Sequence, residues 1–124
     1  MKGASWSVAG RTRDTAALIS LSGSGPAYFF LLIELLEAAA IAQGLTPEVA
    51  RKLAVGTAAG ASALAKASGE EPAVLREQVT SKGGTTAAAL AVFADSDLKA
   101  IVARAVQAAA ERSREIAAEF GSKR

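Results

Sequence analysis

Cysteine and histidine are both absent from this 124-residue chain, aromatic residues make up only 5% of it, and there are three prolines. Without cysteine there is no disulfide and no thiol nucleophile, a pattern that fits the cytoplasm. Without histidine there is no imidazole base, and a metal site would have to be built from carboxylates alone, so none is expected. A surplus of one charge is also missing. The 14 Lys and Arg stand against 12 Asp and Glu, leaving +2, too little for a dedicated nucleic-acid binder. Nor is there a long uncharged apolar run. The most apolar stretch, Ala27 to Ala42, carries Glu34 and Glu37 and falls short of the roughly 20 residues a membrane span requires, so it is expected to be a buried helix and no membrane is expected as a partner. The segment 1–17 has no apolar run behind Lys2 and reads as a leader outside the fold.

What the chain does have is alanine, 31 of 124 residues, within a hydrophobic fraction of 51%. Alanine is the best helix former and is poor in strands, so one all-α domain over 18–120 is expected, with 121–124 as a tail. Leu18 to Leu21 offers at most one turn of strand, without a partner. Ser22-Gly23-Ser24-Gly25-Pro26 reads as a loop, with Ser24 or Gly25 capping a helix that starts at Pro26 and stops at Gly44. That helix is apolar nearly all round, through Phe29, Phe30, Leu31, Leu32, Leu35 and Leu36. Such a helix has to be buried on most sides, and one small chain cannot do this alone, so a second chain is expected to cover part of it.

Thr46 and Pro47 predict the cap and first residue of a second helix reaching Ser68, before Gly69. It carries Gly56 and Gly60, small residues that let helices approach closely. A short helix follows from Pro72 to about Val79, then one from Thr86 carrying Leu90 and Phe93. Asp95, Ser96 and Asp97 offer caps for a long terminal helix to Phe120, with Gly121 beyond it. The charges of that helix, Arg112, Glu111, Glu115 and Glu119 among them, read as a solvated face.

Two glycine-rich segments invite a chemical reading. Gly23-Ser24-Gly25 before a helix imitates a dinucleotide fingerprint, but Tyr28 stands at the third glycine position and no second strand follows. Thr80-Ser81-Lys82-Gly83-Gly84-Thr85-Thr86 joins two helices. Glycines at a helix mouth leave backbone N–H groups free to point at an anion, and hydroxyls with a lysine suit a small carboxylate or phosphate. An ordinary flexible loop fits the same pattern.

Two strings together, Leu21-Ser-Gly-Ser-Gly-Pro-Ala-Tyr28 and Pro72-Ala-Val-Leu-Arg-Glu-Gln-Val-Thr-Ser-Lys-Gly-Gly-Thr-Thr-Ala-Ala-Ala-Leu90, resemble the C-terminal domain of the pyrroline-5-carboxylate reductase family. The Gly44-Leu45 and Gly69-Glu70 turns and Glu111-Arg112-Ser113-Arg114-Glu115 agree with it, over about Leu18 to Phe120. The resemblance implies a helical bundle forming an interlocked homodimer or higher homo-oligomer. It implies, for the complete enzyme, NADPH- or NADH-dependent reduction of 1-pyrroline-5-carboxylate to L-proline. The substrate, a small cyclic carboxylate, would be held by Ser81, Gly83, Gly84 and Thr85 through backbone N–H groups, with the Thr86 hydroxyl near the ring nitrogen.

The family's nicotinamide cofactor belongs to an N-terminal Rossmann domain with no counterpart in this sequence. The chain alone is therefore expected to bind no cofactor, to hold no independent catalytic residue, and to be inactive. Two positions depart from the family pattern: Lys82, where proline is usual, and Ala94, where a polar or acidic residue is usual. A helical oligomerisation module without ligand binding is the alternative expectation.

Overall fold

The computed structural model describes residues 15–122, and all its regular structure is helical, with no strand among the described residues. The elements are α1 (Thr15–Leu18), a π-helical turn (Ile19–Gly23), α2 (Gly25–Ala42), α3 (Pro47–Ser68), α4 (Pro72–Gln78), α5 (Thr85–Asp95) and α6 (Leu98–Ser122). The all-α expectation holds. The expected leader 1–17 lies, for its first fourteen residues, outside the described residues.

Several boundaries follow from local chemistry. Ahead of α3 the Thr46 hydroxyl accepts the Val49 N–H at 3.3 Å, Pro47 opens the helix, and Gly69 closes it at φ 71°. Helix α2 ends in a Schellman arrangement around Gly44 at φ 110°. The Gly44 N–H donates to Ile41 O at 2.9 Å and the Leu45 N–H to Ala40 O at 3.1 Å, which satisfies two carbonyls of the last turn.

Other boundaries differ from the sequence reading. The expected loop at Ser22–Pro26 is helical, because the chain takes a π-turn there: the Ser24 N–H reaches back five residues to Ile19 O at 3.0 Å. The possible strand at Leu18–Leu21 falls in the same helical run. Helix α5 begins at Thr85 rather than Thr86, with Gly84 in extended conformation ahead of it. Helix α6 passes Gly121 and ends at Ser122, since glycine in a last turn costs only about 1 kcal/mol. One consequence concerns the membrane. Thr15–Ala42 is a continuous 28-residue helical run of mean hydropathy 1.6, long and apolar enough by length and composition to cross a bilayer. The shortness of the apolar stretch therefore no longer argues against a span.

The described residues divide into two compact units, one formed by 15–28 with 97–122 and the other by Phe29–Ser96. In the first, α1 and the π-turn pack against α6, burying Ala16, Ser20 and Ala110. The Ser20 hydroxyl donates to Ala17 O at 2.7 Å and the Tyr28 hydroxyl to Ser20 O at 2.6 Å. In the second, Ala50 and Ala54 of α3 are buried, and Glu37 of α2, its side chain 15% exposed, pairs with Arg51 of α3.

The core is thus made of alanines, while Phe29, Phe30, Leu31, Leu32, Leu35 and Leu36 of α2 and Leu53, Val55 and Leu64 of α3 are exposed. An apolar surface of this kind on neighbouring helices marks an interaction face.

Candidate functional site

The segment between α4 and α5 is a turn set against a helix mouth. The Thr80 hydroxyl closes α4 by donating to Arg76 O at 2.5 Å, and the Thr80 N–H donates to Glu77 O at 3.0 Å. The chain then turns over Ser81–Gly84, with the Gly84 N–H donating to Ser81 O at 3.0 Å and Gly83 at φ 74°. A positive φ at the third position is the mark of a type II turn, whose second position favours proline. Lys82 holds that second position. This gives a physical reason for the proline usual there in the resembling family, and shows that lysine keeps the turn without the rigid ring.

Gly84 is needed for a different reason. A Cβ built on it would run into Ser81 Oγ and lie 3.3 Å from Ser81 O, so the Ser81 hydroxyl sits in the space a side chain would take. Helix α5 starts next, its first backbone bond running from Ala88 N to Gly84 O at 3.1 Å. The N–H groups of Thr85, Thr86 and Ala87 precede that bond and have no carbonyl one turn back to accept them.

The turn therefore brings Ser81, Gly83, Gly84, Thr85 and Thr86 together around one helix N-terminus. Gly84 and Thr86 are half-buried; Ser81, Lys82, Gly83 and Thr85 are exposed. An anion placed there meets backbone N–H groups, the positive end of the helix dipole, hydroxyls and one cationic side chain.

The other glycine run is no phosphate cradle. Gly23 closes the π-turn, the Ser24 N–H is already spent on Ile19 O, and Gly25 is buried. No parallel sheet of the kind a dinucleotide fingerprint precedes exists among the described residues.

On α6, Arg112 donates to Glu115 at 2.9 Å and lies 3.6 Å from Glu119. The hydrogen bond to Glu115, followed by the charge of Glu119, raises the guanidinium pKa above its already high ordinary value. Gln107 donates to Glu111 at 3.1 Å. These groups are exposed, as the reading of a solvated face requires.

The Tyr28–Ser20 bond and the Glu37–Arg51 pair were missed in the sequence. The only signal for the second was a glutamate in an apolar helix, which wants a partner.

The model of the pyrroline-5-carboxylate reductase dimerisation family matches residues 12–116. The chain belongs to that family. It is 46% identical over 105 residues to the pyrroline-5-carboxylate reductase of Pseudomonas aeruginosa, covering 85% of this chain and 38% of the relative. To that of Vibrio alginolyticus it is 50% identical over 100 residues, covering 80% and 37%.

Among solved structures, the pyrroline carboxylate reductase of Plasmodium falciparum with NADP bound matches with a TM-score of 0.80 at 34% identity, covering 83% of this chain and 41% of that one. A pyrroline-5-carboxylate reductase from Coxiella burnetii matches with a TM-score of 0.81 at 40% identity, covering 84% and 39%. The chain thus spans less than two fifths of the length of these curated relatives. Family membership and the helical fold agree with the resemblance carried by the two glycine-containing strings.

Proposed function

We propose that this chain is a dimerisation and substrate-binding domain of pyrroline-5-carboxylate reductase type, serving proline synthesis in the cytoplasm. The observation that carries the reading is the Ser81–Gly84 turn laid against the N-terminus of α5. A cyclic imino acid docks its carboxylate at this turn on the free N–H groups at the mouth of α5, and the Thr86 hydroxyl positions the ring nitrogen. A protonated imine is already electrophilic, so the chain's task is to orient the ring and neutralise the carboxylate. The nicotinamide of the complete enzyme supplies the hydride, and this chain alone does not turn substrate over.

The homodimer follows from the exposed apolar residues of α2 and α3 and from the dimerisation family. A second copy covers these helices better than a bilayer does, because Glu34 and Glu37 lie within the apolar run and Glu37 is paired with Arg51.

Thermal denaturation with added L-proline tests the site. Binding that saturates at 100 times Kd stabilises by about 2.7 kcal/mol, so Tm rises with dose. Gly84→Ala, which displaces the Ser81 hydroxyl, and Thr86→Ala each diminish the rise. A Tm insensitive to proline in the native chain leaves the oligomerisation module without ligand binding as the correct reading, and a rise unchanged in both variants shows that the loop is not the site. Measurable oxidation of NADPH with pyrroline-5-carboxylate by this chain alone refutes the inactivity.

A further inference from the structure

Between α2 and α3 lies an open apolar groove of about 210 Å³, lined by Leu36 and Ala40 on one side and by Leu53, Ala54 and Thr57 on the other. A dry cavity of about 150 Å³ accommodates a benzene ring, so the groove has room for one aromatic side chain. At 100° per residue, Phe29 stands within about 20° of Leu36 and Ala40 around α2, about two turns and 10 Å nearer the N-terminus than Leu36 and about three turns and 16 Å nearer than Ala40. The same stripe of α2 thus carries an exposed ring at one end, with Phe29 59% exposed, and an apolar groove at the other.

A two-fold interface is built from one patch used twice, so a protrusion and its receptacle must lie on the same face. This stripe meets that condition. We infer that Phe29 of a second copy fills the groove beside Leu36 and Ala40, and that the two α2 helices cross antiparallel near Ile33. The inference rests on the homodimer proposed above and assigns its two-fold contact. Phe30 lies roughly 80° to 120° away from Leu36 and Ala40 around the helix. It is the more exposed of the two rings, at 69%, and serves as the control.

Sedimentation equilibrium of the full chain, with helicity followed by circular dichroism at the same concentrations, tests the assignment. Phe29→Ala raises the dimer Kd roughly 30-fold or more, the scale of an interface hot spot, and Phe30→Ala raises it at least tenfold less than that. Ala40→Phe fills the groove from within and also weakens the dimer. In the double variant Phe29→Ala with Ala40→Phe, the added ring takes the vacated space and restores association to within about threefold of native. Equal losses for the two single ring deletions, or native association by Ala40→Phe, overturn the assignment while leaving the dimer standing. A native chain that stays monomeric overturns the dimer reading itself.

Discussion

Lys82 occupies the second position of the Ser81–Gly84 turn, where a proline ring would hold the backbone as the turn requires. Lys82→Pro removes unfolded-chain freedom at no cost in backbone strain, so it stabilises by about 0.4–1 kcal/mol, read as a rise in the chemical-denaturation midpoint at unchanged slope. Tyr28→Phe acts in the opposite sense. The Tyr28 hydroxyl supplies a donor to Ser20 O in a turn where the Ser24 N–H, the partner an α-helix would send to that carbonyl, goes to Ile19 O instead. Losing that bond costs about 1 kcal/mol, measured by the same denaturation, with faster hydrogen exchange at Ser24 as the local sign. The two residues differ in legibility. The glycines and hydroxyls around Lys82 are contiguous in sequence and announce a helix mouth by type alone. Tyr28 stands eight positions from Ser20, and only the π-turn brings its hydroxyl to that carbonyl.

Helix α3 was legible from end to end, because a threonine and proline at its start and a left-handed glycine at its end leave few alternatives. Thr46→Ala removes the acceptor of the Val49 N–H and costs about 1 kcal/mol of stability, with the loss of helicity concentrated in the first turn when followed by hydrogen exchange. The segment 15–26 was not legible. Its glycines and serines carry ordinary turn chemistry, yet the backbone continues through them as a π-turn and joins α1 to α2 in one helical run. Packing of α1 and the π-turn on α6, with Ser20 fully buried, outweighs the local preference for a loop. The start of α5 moved by a single residue for a local reason, since Gly84 O already accepts the first helical bond.

At the scale of the whole molecule, the described core consists of small residues while the largest apolar side chains of α2 and α3 face outward. A chain in this state is stabilised by its own association, so Tm of the native protein rises with protein concentration; differential scanning calorimetry over a hundredfold range of concentration checks it, and a constant Tm contradicts the homodimer. The sequence by itself determined the helical class, the ends of α3, the anion-suited turn and the family, because each rests on contiguous residues whose backbone preferences are local. Only the tertiary structure decided that alanines form the core, that Glu37 finds Arg51, and that Phe29 and the groove share one face of α2. Those outcomes depend on which helix faces lie together in space, and a composition that is apolar all round a helix does not choose among its faces.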